Sequence, residues 1–287
     1  MSDLLWQDAA WRSANEARNF TKDDGPNSSV TPILARLLDQ GYISGQIIAI
    51  SRLLEPSDPK HPKKAVVSLR RIVDEMRAVR PLFTRENFVA QDALPYEWDK
   101  VRRVEIDGIL AEMPESGVHF GYGDTSGPKA WDMAQRQHEL FDQISGVGSD
   151  QRSRNDLISE AFFDKIDLVL EDQLLESIRL MRNKTVAHAA DEHSRSMVSD
   201  LRSGVTLDEF AKAHYLLSGA FQAISVVLFG QWRGGGVPVP QFDQFAHMDQ
   251  PFVPSKRMPN MREFWDTHCK EREDFLRDAY HEIIPER

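Results

Sequence analysis

Several features that would assign this chain to a class are absent or rare. It has 287 residues but one cysteine, Cys269, so no disulfide can form within the chain and a reducing compartment is expected. The N-terminus has no basic segment followed by an apolar run. The longest nearly apolar stretch, from Phe221 to Gly230, is too short to cross a bilayer. We therefore expect a cytoplasmic protein with no membrane partner.

Positive charge is also scarce. The chain has 35 lysines and arginines against 45 aspartates and glutamates, which gives a formal net charge of −10 at pH 7. A protein that coats nucleic acid by bulk electrostatics neutralises many phosphates with basic side chains, so this balance excludes that class. Any contact with RNA must therefore be local.

Familiar catalytic and metal-binding patterns are missing as well. The chain has no H-E-x-x-H string and no paired C-x-x-C. His188 and His193 are five positions apart, whereas four would place two histidines on one helix face. No G-x-S-x-G turn is present to support a Ser-His-Asp triad. We expect no metal and no other cofactor.

Helical periodicity dominates what is present. Apolar residues recur at spacings of three and four in most segments, and no strand-type alternation of useful length occurs, which predicts an all-α helical bundle. Turn-rich and Gly/Pro-rich breaks divide the chain. The predicted parts are an N-terminal helix and turn (1–29), a helical domain (30–232), a linker (233–260) and a C-terminal helix (261–287).

The most informative stretch is an apolar stripe that leads into a polar cluster. The stripe predicts one long, core-facing helix through Phe163, Ile166, Leu170, Leu174, Ile178 and Met181. The cluster contains Arg179, Arg182, Asn183, Lys184, His188, His193 and Arg195. Cations near a helix C-terminus are favoured by the macrodipole, so one interpretation is that part of the cluster only caps the helix.

Within the cluster, Arg182 is followed directly by Asn183 and, after five intervening positions, by His188. This string resembles the R-x(4–6)-H signature of the HEPN superfamily, whose members carry a polar residue directly after the arginine. About two such spacings are expected by chance, and Arg262 to His268 is a second match. The second match has a glutamate in place of the amide and does not end a long apolar helix, so we prefer the first.

Another resemblance lies upstream. Residues 47–56 read Ile-Ile-Ala-Ile-Ser-Arg-Leu-Leu-Glu-Pro, and residues 67–72 read Val-Ser-Leu-Arg-Arg-Ile. They resemble the helix, the acidic-proline turn and the Ser-Leu-x-Arg-hydrophobic pair of the abortive-infection U-type (AbiU-like) branch of HEPN proteins. Together with the downstream string, this resemblance covers roughly residues 30–231.

The resemblance implies a metal-independent endoribonuclease that acts as a toxin or phage-defence effector. An imidazole, with an unperturbed pKa near 6.5, can exchange protons with the ribose 2′-OH or the leaving oxygen, which is the role expected of His188. A guanidinium matches phosphate oxygens, so Arg182 would hold the scissile phosphate, and Asn183 would orient the histidine or the 2′-OH. The other ionisable residues of the cluster are expected to bind substrate: Arg179, Lys184, His193 and Arg195.

Geometry sets a condition on this site. Positions six apart on one ideal helix point about 120° away from each other, so Arg182 and His188 cannot face one phosphate from a continuous helix. Either the helix ends between them or a second subunit completes the site. The resemblance implies a homodimer with two copies of the motif across a cleft. RNA would be the substrate, and an antitoxin or nucleotidyltransferase would be a further partner.

Two other functions remain open at this point. A HEPN-like domain without cleavage activity would bind RNA, nucleotides or another protein through the same cleft. A helical interaction protein would have no active site, and its Arg182 cluster would be no more than a helix end.

Overall fold

The structure, a computed structural model, describes residues 1–23, 32–57, 66–112, 123–183, 204–230, 241–246, 250 and 253–283. These residues form ten α-helices: α1 (Ser2–Asp23), α2 (Pro32–Leu53), α3 (Leu69–Ala78), α4 (Arg85–Val89), α5 (Trp98–Glu112), α6 (Trp131–Ser145), α7 (Glu160–Leu170), α8 (Gln173–Met181), α9 (Leu207–Phe229) and α10 (Met258–Ile283). No strand occurs in these ranges, where a single isolated antiparallel bridge joins Thr84 to Leu157. The predicted all-α fold is confirmed. None of the described helices is long and apolar enough to span a bilayer.

The chain divides into two compact units, Met1–Pro238 and Val239–Arg287. Helices α1 to α9 belong to the first unit and α10 to the second. The division falls inside the segment predicted as a linker, residues 233–260. Within the second unit, α10 exposes Phe264 and Trp265.

The hydrophobic core of the first unit lies among α2, α3, α7, α8 and α9. Helix α2 packs against α1 and α8, whereas α9 packs against α3, α7 and α8. The side chains at the centre are almost completely buried: Ile47, Ile50, Val73, Phe163, Leu175, Ile178, Phe210, Leu217 and Val227. Helices α4 and α5 pack on α6, and Phe88 of α4 and Phe141 of α6 belong to the same core. The pairing of α2 with α8 brings the end of α8, and with it Arg182, close to Glu55.

The single long helix predicted over the apolar stripe is wrong, since the stripe is carried by two helices, α7 and α8. Asp172 lies between them, and its carboxylate accepts a hydrogen bond of 2.8 Å from the backbone N–H of Leu174. An aspartate in this position caps the start of a helix, which favours a new helix over continuation of the old one. Helix α8 then ends at Met181, directly before Arg182.

Helix α1, predicted as an exposed segment ahead of the domain, packs on α2. Leu4 is buried in the core, and Trp11 stacks on Tyr42 with 4.3 Å between the ring centroids. Asp8 accepts hydrogen bonds from the Tyr42 hydroxyl and, at 2.8 Å, from Nε of Arg12. Burial and the Asp8 hydrogen bond raise the pKa of Tyr42. Hydrophobic periodicity does not predict the packing of α1 on α2, because hydrogen bonds between specific polar side chains form a large part of this contact.

His214 of α9, which is buried, joins the same contact. Its Nε2 lies 2.8 Å from Oε1 of Gln46, and its Nδ1 lies 3.9 Å from Oδ2 of Asp8. Gln46 in turn donates to the backbone C=O of Leu4 at 3.2 Å. Burial lowers the pKa of His214 despite the opposing effect of Asp8, so the ring is neutral at pH 7.

A buried arginine joins α4 to α6. Arg85 is fully buried, its Nη1 donates to Asp142 at 2.7 Å, and its Nε donates to Asp156 at 2.8 Å. Arg152 also binds Asp142, with Nη2 at 2.6 Å. Burial by itself raises the pKa of Asp142, but the hydrogen bonds from Arg152 and Arg85 outweigh it and hold the pKa below its usual value. Charge pairing inside the protein therefore fixes this part of the fold.

Candidate functional site

The candidate site begins where α2 ends. After Leu53 the chain makes one more turn and reaches Glu55. Ser68 caps α3: its hydroxyl donates to the backbone C=O of Glu55 and accepts from the N–H of Arg71 at 3.0 Å. One serine therefore holds together the ends of the two upstream segments on which the AbiU-like resemblance depends.

Helix α8 brings Arg182 to Glu55. The Arg182 side chain is 24% exposed and that of Glu55 is 36% exposed, with 3.9 Å between Nη2 and Oε2. This distance is too long for a hydrogen bond, so only Coulomb attraction joins the two groups. Nε of Arg182 is buried and has no hydrogen-bond partner among the residues that the structure describes. A buried donor without an acceptor is costly, so this position favours an added acceptor.

Arg179, one turn earlier on α8, forms short hydrogen bonds with a carboxylate. Its Nε and Nη2 donate to the two carboxylate oxygens of Glu176 at 2.8 and 2.7 Å. This hydrogen bonding is the largest cause of the raised pKa of Arg179, and the charge of Glu55 adds to it. Because a bidentate carboxylate already satisfies its guanidinium, Arg179 is less available to a substrate than Arg182.

The structure describes only part of the predicted site. Arg179 and Arg182 lie at the end of α8, and Asn183 is the last described residue of this stretch. Four predicted residues lie outside the described part of the chain: Lys184, His188, His193 and Arg195. Their placement relative to Arg182 stays a prediction.

Glu55, in the turn that follows α2, belongs to the site although we assigned it no role from sequence. Glu55 contacts Arg182, as described above. Ser51 lies one turn before Glu55, is fully buried, and its hydroxyl has no hydrogen-bond partner in the described ranges. No local spacing signals the contact between Glu55 and Arg182, because the two residues meet only through the packing of α2 on α8.

The competing string from Arg262 to His268 lies on α10, in the second unit. Both residues belong to one continuous helix, so their side chains point about 120° apart. The His268 ring stacks on Phe264, with 5.8 Å between centroids. One copy of this helix cannot direct both groups at one phosphate, which favours the choice of Arg182.

Comparison with known proteins adds no assignment. No protein-family model, curated protein or solved structure matches the chain. A function must therefore be inferred from the residues and their geometry.

The charges around Arg182 are mixed. Glu55 and Glu176 are acidic, and Arg179 and Arg182 are basic, so these four side chains sum to zero when all are ionised. Across the described ranges, no group of three or more His, Cys, Asp or Glu side chains is arranged to hold a metal ion. Of the two arginines, Arg182 is the one whose described contact with a carboxylate is longer than a hydrogen bond.

Proposed function

We propose that this protein is a HEPN-type, metal-independent endoribonuclease that acts as a toxin or phage-defence effector of the abortive-infection U-type branch. One observation carries the proposal: Arg182, which opens the Arg-Asn-x4-His string, has a buried Nε without an acceptor in the described structure and no close carboxylate partner. An antitoxin or a nucleotidyltransferase would be its regulatory partner in the cell.

The environment of Arg182 supports a phosphate-binding role. A guanidinium keeps its charge at any physiological pH and offers donors in a planar fork that fits phosphate oxygens. Nη2 of Arg182 is 3.9 Å from Glu55, so a phosphate oxygen that approaches the fork does not first have to displace a short hydrogen bond to this carboxylate. The same group would then stabilise the charge that develops on phosphorus in the transition state.

Residues that follow Arg182 in the chain would carry out the proton transfers and orient the reacting groups. His188 would take the proton from the ribose 2′-OH or give one to the leaving oxygen, and Asn183 would orient either group. The 2′-oxygen attacks phosphorus, the bond to the 5′-oxygen of the next nucleotide breaks, and that oxygen receives a proton. The products would be a 2′,3′-cyclic phosphate and a free 5′-hydroxyl, with no metal ion required.

A second copy of the chain would complete this site. Ile33, Leu37 and Ile48 are exposed on one face of α2, and Gly41 between them has open space where a side chain would lie. Apolar residues flanking a glycine suit close helix packing. The face leads along α2 to Glu55, so a copy docked there would lie beside Arg182. We propose a homodimer formed on this face.

A second candidate is a HEPN-like domain that binds RNA, a nucleotide or a protein without cleaving it. It is favoured by the mixed charge at the site, since Glu55 lies near Arg182 and Glu176 pairs with Arg179. These carboxylates weaken the positive potential that a cleaving site needs to hold a highly charged substrate.

RNA cleavage in EDTA tests the proposal and separates the candidates. Purified full-length protein should cleave single-stranded RNA, and Arg182→Ala and His188→Ala should each lower the rate by about 10² to 10⁴-fold. Arg179→Ala, which removes a paired arginine of the same helix, should lower it far less. Arg262→Ala and His268→Ala are controls that should have no effect.

Each other outcome has a defined meaning. RNA binding that needs Arg182, without cleavage by the wild-type protein, would support the non-cleaving domain. If Arg182→Ala and His188→Ala changed neither binding nor cleavage, the site would be wrong and the cluster would be only a helix end. Loss of activity in the Arg262→Ala variant would mean that the other match is the functional one.

A further inference from the structure

We propose that Arg52, at the end of α2, binds the RNA phosphate next to the one held by Arg182, and that this contact holds the strand in place during cleavage. The inference rests on the proposed function in one respect, that RNA binds at Arg182. It adds one residue to the site and a second phosphate to the contact with the substrate.

The first observation places Arg52 beside the site. The N–H of Glu55 donates to the C=O of Arg52 at 3.4 Å, and the preceding residue makes the same kind of bond to Ser51 at 3.2 Å. Bonds between residues three apart form a 3₁₀ turn, in which side chains three positions apart lie one above the other. The Glu55 carboxylate is 3.9 Å from Arg182. Arg52 therefore leaves the turn on the same side as the carboxylate that faces Arg182.

The second observation separates the arginines where α2, α3 and α8 meet. Three of them form short ion pairs of 2.7 to 2.9 Å: Arg70 with Asp167, Arg71 with Glu75 and Arg179 with Glu176. Arg52 is exposed and has no ion pair or side-chain hydrogen bond with any residue that the structure describes. Arg182 has the long contact with Glu55. The two arginines without a short carboxylate contact are thus the two nearest to Glu55.

The charge around Glu55 suits more than one phosphate. Two arginines and one carboxylate, Arg52, Arg182 and Glu55, sum to +1 when all are ionised, and the pair of Arg179 with Glu176 adds no net charge. RNA carries a negative phosphate at every nucleotide, so a strand bound at Arg182 presents further phosphates along the same surface. A guanidinium without a carboxylate partner can bind one of them without first losing an ion pair.

RNA affinity measured against salt tests the contact on full-length protein. The probe is a fluorescent 2′-O-methyl oligonucleotide, which cannot be cleaved, titrated from about 50 to 500 mM KCl. Arg52→Ala should weaken binding about tenfold at the lowest salt, and the slope of log Kd against log[KCl] should become less steep by about 0.7. Arg52→Lys, which keeps the charge, should restore most of the slope. The melting temperature should stay unchanged, because the exposed side chain has no described contact to lose.

Substrate length provides a readout that a structural role would not move. A dinucleotide with one internal phosphate can occupy Arg182 alone, whereas a hexanucleotide can occupy both arginines. Arg52→Ala should raise KM for the hexanucleotide about tenfold with little change in kcat, and should leave cleavage of the dinucleotide unchanged.

Arg36→Ala is the matched control. Arg36 is also an exposed arginine of α2 without an ion pair among the described residues, but it lies near the start of the helix. The distance to Arg52 along the helix axis is about 24 Å. This variant removes the same charge from the same helix, so the salt slope and the cleavage of both substrates should not change.

Several results would overturn the inference. These are an unchanged salt slope and KM in Arg52→Ala, the same loss in Arg36→Ala, or an equal loss on the dinucleotide and the hexanucleotide. If Arg182→Ala still abolishes cleavage in such a case, the proposed function survives. If the wild-type protein binds RNA without cleaving it, the nuclease proposal fails and the salt slope alone decides the role of Arg52. If it neither binds nor cleaves RNA, both proposals fail.

Discussion

Replacing Arg85 by methionine would leave two partly buried carboxylates without their shared partner. Nη1 and Nε of Arg85 lie 2.7 and 2.8 Å from Asp142 and Asp156. In the variant, Asp142 would keep Arg152 at 2.6 Å, and Asp156 would keep the backbone N–H of Ser153 at 2.9 Å. The uncompensated charge therefore falls mainly on Asp156.

Loss of one member of a buried ion pair costs about 3–5 kcal/mol, because the other charge stays buried. The retained Arg152 places this variant at the lower end, about 3 kcal/mol. For a folding unit of this size, each kcal/mol shifts the melting temperature by about 2–4 °C. The melting temperature should thus fall by about 6–12 °C.

Thermal unfolding followed by circular dichroism at pH 7 measures this shift. Arg103→Met is the control: Arg103 pairs with Asp99 at 2.7 Å on an exposed surface, so no measurable change is expected. Adding Asp156→Asn to Arg85→Met should restore part of the lost stability, because it removes the stranded charge. Equal melting temperatures for Arg85→Met and Arg103→Met, or a further loss in the double variant, would refute the reasoning.

Two further predictions follow from the described contacts. Ser68→Ala should destabilise the protein by about 1–2 kcal/mol, since it removes the N-cap of α3 and the bond to Glu55; an unchanged urea midpoint would contradict this. Burial lowers the pKa values of His138 and His214 below 6.5, so below about pH 6.5 the unfolded chain binds protons that the folded chain does not. The stabilising contribution of these neutral histidines is complete above about pH 6.5, so the urea midpoint should decrease as the pH is lowered from about 7.5 to 5.5. A midpoint that stays constant or increases as the pH is lowered would exclude this contribution.

Periodicity predicted the fold class because the core positions repeat at helical spacing. Thr206 and Glu209 show that a helix start can be predicted from residues close in sequence. Each side chain hydrogen-bonds to the backbone of the other residue, which forms a capping box at the start of α9. The break at Asp172 was missed because the apolar stripe continues across it, so periodicity alone cannot detect the interruption.

The candidate site was predictable only in part, for a different physical reason. Arg182 belongs to a local string, which sequence can show. Glu55 meets it across 127 positions of chain through the packing of α2 on α8, and no local spacing encodes such a contact. Arg85 is similar: among many charged residues nothing in the sequence marks it as fully buried, since its two carboxylate partners lie 57 and 71 positions away.

The contrast between Arg179 and Arg182 bears on whether the cluster is more than a helix end. A cation that only offsets the helix dipole gains about 0.3–1 kcal/mol at an exposed site and up to about 2 kcal/mol where it is partly buried. Arg179 fits that description, since it pairs with Glu176 at the surface. Arg182 instead has a buried Nε with no acceptor among the residues that the structure describes, and such a buried donor costs about 1–3 kcal/mol. This cost is comparable to what the dipole returns, so capping alone leaves the buried Nε of Arg182 without an acceptor, whereas the phosphate contact proposed above would supply one.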